Sequence, residues 1–347
     1  MSSHPSSKKW RVAVLPGDGV GPDVVKATVP VLEAVEDSVK GLRFDLEYAD
    51  AGFHCIEKYG TNLPKEAVDV LKRCECAIKG PMTTPEEPGS PRSVAVQIRT
   101  MFDLYANVRP AKTLPNVPSL KPNVDMIIVR ENTEGMYAGL EFKVGDDAAV
   151  GIRVITRKAS RRIGLYSLKL AQERRKRLTV VHKANILKLS DGLFLREILE
   201  CAREFPSVKV DDAHVDAMTQ WFIKQPEEYD VLVAENMFGD IISDEAAMVV
   251  GGLGVAPGAN IGDNYAMFEP IHGSVPKYAG MDKVNPTATI LSVKMMLDWM
   301  NRHDAAQLVQ KAVEDVLREH MVVTYDLGGS AKCSEMGAEI ARKIRKG

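Results

Sequence analysis

The sequence predicts an α/β fold on a substantially parallel sheet, and three observations predict it. Short apolar runs of strand length alternate with amphipathic, helix-length stretches along most of the 347 residues. Two of those runs, Asp125–Glu131 and Leu178–Val181, are apolar enough for buried strands. No low-complexity linker or internal repeat interrupts the chain, so a boundary between lobes has to be a crossing of the chain and not a flexible tether. The length itself suggests about two domains.

In order, Trp10–Leu15 reads as a strand, followed by Pro16-Gly17-Asp18-Gly19-Val20-Gly21 and a helix from about Pro22. A glycine-rich turn between strand and helix invites a dinucleotide reading. The spacing is Gly-x-Gly-x-Gly, however, and the first acid after the next strand (Leu42–Tyr48) is Asp50, too late for that fingerprint. A tight strand-to-helix turn is the plain alternative. A helix near 64–73, a strand Cys76–Lys79, a Pro/Gly-rich loop at 81–91 and a helix at 92–102 follow. Residues 136–158 alternate around Gly145-Asp-Asp like an antiparallel hairpin arm. The basic helix at 159–176 lacks the aromatic interleaving of an RNA surface. After Leu178–Val181 come a helix near 188–204 and a strand at 207–211. Tyr229–Ala234 reads as a buried strand, and Gly239 as a turn opening a helix. Residues 257–262 read as loop, and helices at 286–302 and 304–319 close the chain.

Composition excludes several classes. With 45% hydrophobic and 27% charged residues and net charge −2, nothing suggests a nucleic-acid or anionic-membrane surface. Five cysteines without a Cys-x-x-Cys pair point to reduced thiols in a cytoplasmic protein. Residues 1–9 read as a polar tail and not a signal peptide, and no apolar run approaches the ~18 residues of a spanning helix.

Asp240 and Asp244 stand four apart, which puts both carboxylates on one helix face. Oxygen ligands of this kind suit a hard divalent cation; acidic residues favoured by the helix dipole are the plain alternative. Arg99, Arg109 and Arg130 lie at or near element ends, and guanidinium is the group for bidentate carboxylate binding. Lys183 follows a buried strand, where desolvation favours proton transfer, and Tyr137 is a candidate acid. Together they describe a site for a metal-bound polyanionic acid.

Six stretches then resemble one family, the β-decarboxylating dehydrogenases acting on isocitrate, isopropylmalate and homoisocitrate. They are Pro16–Asp23, Asp103–Pro110, Arg130–Gly139, His182–Asn185, Asn236–Asp244 and His272–Gly280, within a resemblance covering about residues 10–340. The resemblance implies that family's two-lobed α/β fold with a central, mostly parallel sheet, and not a Rossmann fold. One lobe would be 1–104 with 251–347, the other 105–250 with a dimer clasp at about 136–158. It implies a cytoplasmic homodimer with shared active sites, Mg²⁺ or Mn²⁺, and NADP (NAD as the alternative). Isocitrate oxidation to 2-oxoglutarate and CO₂, a tricarboxylic acid cycle step, is the favoured activity; homoisocitrate or 3-isopropylmalate oxidation, or a non-catalytic regulatory subunit, are the alternatives.

By the same resemblance Arg99, Arg109, Arg130 and Ser93 would hold substrate. Asp240 and Asp244, with Asp216 from the neighbouring subunit, would hold the metal. Lys183, also the neighbour's, would take the C2 hydroxyl proton and Tyr137 would return a proton to carbon. Thr84, Glu269, His272, Gly273, Lys277, Tyr278, Val284, Asn285 and Tyr325 would line the dinucleotide site. Lys277 and Tyr278 stand where NAD-using members carry Asp and Ile, although no arginine follows Tyr325 as it often does in NADP-using members. Ala95 stands where isocitrate enzymes typically carry the asparagine that reads the γ-carboxylate.

Overall fold

The computed structural model describes residues 8–347. The expected tail therefore lies mostly outside the described residues, while Lys8 and Lys9 already open the first strand. In chain order the elements are β1 (Lys8–Leu15), α1 (Gly21–Ser38), β2 (Leu42–Tyr48), α2 (His54–Tyr59), α3 (Lys65–Arg73), β3 (Cys76–Lys79), α4 (Val94–Met101), β4 (Ala106–Lys112) and β5 (Asp125–Glu131). The hairpin β6 (Gly135–Val144) and β7 (Ala148–Val154) comes next, then α5 (Arg157–Glu173), β8 (Arg177–His182), α6 (Ser190–Ala202), β9 (Lys209–His214) and α7 (Val215–Lys224). The chain ends with β10 (Val231–Ala234), α8 (Asn236–Val249), β11 (Pro257–Ile261), β12 (Ala266–Pro270), α9 (Thr287–Trp299), α10 (His303–Glu319) and α11 (Cys333–Lys346).

Ten strands form one sheet in the order β2-β1-β3-β12-β11-β4-β5-β10-β8-β9, and β6 and β7 form a separate antiparallel pair. Six of the nine pairings in the large sheet are parallel; the three antiparallel ones, β12–β11, β11–β4 and β4–β5, sit together at its centre. The sheet thus consists of two parallel halves joined through an antiparallel seam. Pro110 is tolerated in β4 because β11 pairs with that strand only at 106–108, so the proline's missing N–H costs no ladder bond there.

Burial explains why these runs are strands. Val12, Ala13 and Leu15 in β1 and all of β10 are fully buried, as befits parallel strands covered on both faces. The helices close over them with apolar stripes: Met336, Ile340 and Ile344 of α11 are buried, and α11 packs on α1.

Three expectations are corrected. Residues 257–262 are not loop: Pro257–Ile261 is a buried strand whose proline and glycine mask it in the sequence. The chain is closed by α11 and not by 304–319. Gly239 is not a turn; α8 already starts at Asn236, its first turn capped by the Glu235 carboxylate, which accepts from the Met237 and Phe238 N–H groups. Gly239 is glycine because a Cβ there would lie 2.7 Å from Cβ and Cγ of Arg130. All five cysteines are free and buried. Among the described residues no helix is long and apolar enough to cross a membrane.

Candidate active site

The carboxyl end of β5 delivers Arg130, β4 delivers Arg109, and α8 crosses beneath both. Strand alternation sends Asn107 and Arg109 to one face of the sheet and Pro110 and Lys112 to the opposite face, where they line a separate hollow. Arg130 is 1% exposed; its Nε and Nη2 donate to Asn236 Oδ1 at 2.9 and 2.8 Å, and its Nη1 donates to Asp240. Arg109 Nη1 reaches Ser243 Oγ at 2.8 Å and lies 3.1 Å from a carboxylate oxygen of both Asp240 and Asp244. The two aspartates therefore converge as their spacing predicts, one helical turn apart and around one cationic nitrogen. Tyr137, from β6, donates its hydroxyl to Asp240 Oδ2, and the Arg130 guanidinium lies 4.7 Å from its ring centroid.

Charge and burial set the protonation states. Desolvation pulls the Asp240 carboxyl up, but Arg130, Arg109 and the Tyr137 hydroxyl together hold it below its ordinary value. Asp244 is held above its ordinary value by burial, with the Asp240 charge adding to it against Arg109. Burial, then the bond to Asp240, raises the Tyr137 phenol, which keeps it in the proton-bearing form. Burial and the neighbouring Arg109 and Arg99 cations lower Arg130, so this crowd of guanidiniums favours incoming anions.

A second group adjoins the first. Arg99, on α4, donates from Nε to Asn260 Oδ1 at 2.9 Å and from Nη2 to Glu269 Oε1 at 3.1 Å. Lys79 Nζ lies 2.7 Å from the other oxygen of Glu269. Burial would raise Glu269, yet Lys79 and Arg99 hold it far below the usual carboxylate range. A cavity of about 170 Å³ is lined by Ala95, Arg99, Arg109, Glu269, His272 and Gly273. Desolvation lowers the His272 imidazole, whose Nδ1 is 3.0 Å from the Gly273 carbonyl oxygen. Ser93 begins α4 without capping it and does not line this cavity.

Farther along the same loops Tyr278 and Tyr325 meet edge to face, their centroids 5.9 Å apart. Lys277 Nζ lies 4.9 Å over Tyr278, and Lys283 Nζ lies 4.9 and 4.5 Å over Tyr278 and Tyr325. Asn285 is buried and donates to Asp326 Oδ2 at 3.0 Å, with Val284 half-buried beside it; Thr84 is exposed on the 81–91 loop.

Lys183 and Asp216 pair with each other, Nζ donating to Oδ1, and no hydrogen bond or ion pair among the described residues links them to Asp240 or Asp244. Nor does any group of three or more His, Cys, Asp or Glu among the described residues gather as a metal cage within one chain. The donor set of Asp240 and Asp244 fits a hard cation, all oxygen and converging where Arg109 now supplies the positive charge, with substrate oxygens and water left to complete the shell.

Sequence reasoning missed Lys79, Asn260 and Lys283. Lys79 carried a signal, a cation closing an apolar strand; Lys283 stands two positions before Asn285 in a stretch already singled out. Asn260 was hidden in the supposed loop.

Comparison with known proteins follows the same line. The family model described as "Isocitrate/isopropylmalate dehydrogenase" matches residues 11–340. The 3-isopropylmalate/3-methylmalate dehydrogenase of Methanocaldococcus jannaschii is 43% identical over 341 residues, covering 97% of this chain and 99% of that protein. The isocitrate/homoisocitrate dehydrogenase of Thermus thermophilus is 46% identical, covering 93% and 95%. The crystal structure of isocitrate dehydrogenase from Methylococcus capsulatus superposes with a TM-score of 0.92 at 42% identity, covering 97% of this chain and 99% of that one.

Proposed function

The chain belongs to the isocitrate/isopropylmalate dehydrogenase family of β-decarboxylating dehydrogenases, and from that premise we propose that it oxidises isocitrate to 2-oxoglutarate and CO₂ with NADP⁺ as its preferred acceptor. The observation that carries this reading is a cavity of about 170 Å³ lined both by Arg99 and Arg109 and by Glu269, His272 and Gly273.

Arg99, Arg109 and Arg130 take the α- and β-carboxylates of the substrate, Arg109 and Arg130 exchanging the aspartates they now hold for substrate oxygens. Asp240 and Asp244, freed of those guanidiniums, join Asp216 of the partner subunit in holding Mg²⁺ or Mn²⁺. Bound there, the cation would supply Lewis-acid charge to the substrate and the dinucleotide would supply the hydride acceptor. Lys183 of the partner subunit takes the C2 hydroxyl proton. Tyr137, kept protonated by burial and Asp240, gives its proton to the carbon that CO₂ leaves. Lys277, Lys283, Tyr278 and Tyr325 receive the adenosine 2′-phosphate.

Two features of the single chain support a homodimer. Leu140, Phe142, Val144, Val150 and Ile152 on the β6–β7 hairpin and Ile241 and Met248 on α8 are exposed, apolar surface that a second copy would cover. Lys183 and Asp216, assigned to the same site by the resemblance, also pair with each other and not with Asp240 or Asp244 within one copy. The lobes are 1–104 with 251–347, and 105–250, and the setting is cytoplasmic. A second reading, homoisocitrate or 3-isopropylmalate as substrate, is favoured by Ala95, whose methyl lines the cavity where an amide would read a γ-carboxylate. Reduction of NAD⁺ and NADP⁺ with Mg²⁺, using the three acids side by side, tests the reading; no turnover with any of them would leave a regulatory subunit.

A further inference from the structure

The glycine-rich stretch at 16–21 takes no part in the chemistry above, yet its surroundings are unusual. A Cβ on Gly17 would lie 2.3 Å from the Pro81 carbonyl oxygen, one on Gly19 1.9 Å from that of Ser274, and one on Gly21 2.2 Å from that of Pro16. Gly17 and Gly19 also adopt positive φ, 79° and 59°. These glycines therefore admit protein backbone. Asp18 N donates to Pro81 O and Val20 N to Ser274 O, each at 2.9 Å.

At the centre sits the Asp18 carboxylate, 8% exposed. Oδ2 accepts from Phe53 N at 2.8 Å and Thr83 N at 2.9 Å; Oδ1 accepts from His54 N at 3.2 Å and lies 2.8 Å from His54 Nδ1. Gly52 is needed for this approach, since its Cβ would come within 2.6 Å of Oδ2. Thr83 Oγ1 then meets Ser274 Oγ at 2.7 Å. One carboxylate thus ties together three crossings of the chain, and through Thr83 a fourth. Two of them carry the residues assigned to the dinucleotide: Thr84 follows Thr83, and His272 and Gly273 precede Ser274. Burial opposes its charge, yet the donors around it hold the carboxyl below its ordinary value, so it works as an anion.

We propose that Asp18 is a positioning residue for the dinucleotide, its carboxylate setting the spacing of the 81–84 and 271–275 loops that receive the cofactor. This rests on the dinucleotide site proposed above. A purely structural role would weaken the whole protein; a positioning role weakens one ligand.

Calorimetric titration of the full chain with NADP⁺ and with NAD⁺, beside KM for each substrate, tests it. Asp18→Asn keeps the shape but replaces one acceptor oxygen with an amide NH2, a donor facing N–H donors, and the expected result is a dinucleotide Kd raised about tenfold or more. KM for the hydroxy acid should rise clearly less than the dinucleotide Kd, because Arg109 and Arg130 hang from β4 and β5 while Asp18 braces only the 81–84 and 271–275 loops. Thr83→Val should raise the dinucleotide Kd by about threefold, and Thr83→Ser, which keeps the hydroxyl, should restore it. An unchanged dinucleotide Kd in Asp18→Asn, or equal losses for both ligands, overturns the proposal. Should Asp18→Asn not fold, the threonine pair decides, and identical behaviour of Val and Ser overturns it. A wild type that binds NADP⁺ but turns over no acid breaks the proposed function alone; one that turns over while Asp18→Asn binds normally breaks this inference alone.

Discussion

The Tyr137 hydroxyl donates to Oδ2 of Asp240 while the Arg130 guanidinium both pairs with Oδ1 of that carboxylate and lies against the tyrosine ring. In the protein alone, the proposed proton donor and a proposed metal ligand are thus partners. On the proposed function, metal and substrate would exchange partners with Arg130 and Arg109 together, because removing Asp240 from them uncompensated would leave two buried cations facing each other.

Asp240→Asn should lower kcat by about a thousandfold or more, since the variant loses one of the charged oxygens on which the cation depends. Circular dichroism should show the fold retained. Near-wild-type turnover at limiting Mg²⁺ would sink the metal assignment.

Lys183→Met and Tyr137→Phe should impair different steps. The lysine change slows oxidation of the hydroxy acid; the tyrosine change spares reduction of the 2-oxo acid more than overall decarboxylation. Each loss should be about a hundredfold or more, the scale of positioned proton transfer. Equal losses in both partial reactions would argue against separate base and acid.

Ala95→Asn should shift preference toward isocitrate over homoisocitrate. The residue lines the cavity beside Arg99 and Arg109, and a hydrogen bond to a charged group contributes about 1.5–3 kcal/mol, a tenfold change or more in the ratio of kcat/KM. An unmoved ratio would mean that position 95 does not meet the γ-group.

Cofactor choice should follow the two lysines around Tyr278 and Tyr325. Lys277→Asp with Tyr278→Ile should move kcat/KM toward NAD⁺, and adding Lys283→Ala should move it further, by about tenfold per lost cation contact. A wild type favouring NAD⁺, or a ratio indifferent to Lys283, contradicts the arrangement.

Glu269→Gln should destabilise the protein by about 3 kcal/mol at pH 7, because Lys79 and Arg99 lose their buried counter-charge. The folded carboxyl is held far below the unfolded value of about 4.3, so its stabilisation is complete above that pH and fades with acid by about 1.4 kcal/mol per unit. Denaturant melts should therefore show the gap between wild type and variant constant above about pH 5 and narrowing steadily as pH falls below about 4.3. A gap still constant below that pH would place the stabilisation elsewhere.

The local half of this site was legible and the long-range half was not. Asp240 and Asp244 meet because a four-residue spacing on a helix makes them meet, and Arg130 sits where its apolar strand ends. The strands Leu42–Tyr48, Cys76–Lys79 and Asp125–Glu131 match their predicted bounds. What failed was whatever depends on partners distant in sequence. Lys79 and Glu269 meet only because β12 is inserted beside β3. Pro257–Ile261 carries no alternation because it is covered on both faces. Met336, Ile340 and Ile344 did offer a helical stripe, one overlooked among the charges of 333–346.

Asn260 Oδ1 accepts from Arg99 Nε and from the side-chain amides of Asn107 and Asn132, at 2.9, 2.9 and 3.0 Å. Those donors stand on α4, on β4 and just past β5, so one amide oxygen of β11 ties that strand to β4, to the end of β5 and to α4. The seam is therefore braced by side chains as well as by its ladder bonds. Sliding of β11 along β4 would strain the Asn107 and Asn132 bonds together, which makes this the part of the sheet where register is held most firmly. Amide hydrogen exchange should accordingly be slowest at Asn107, Val108 and Ala259 and rise outward toward β2 and β9.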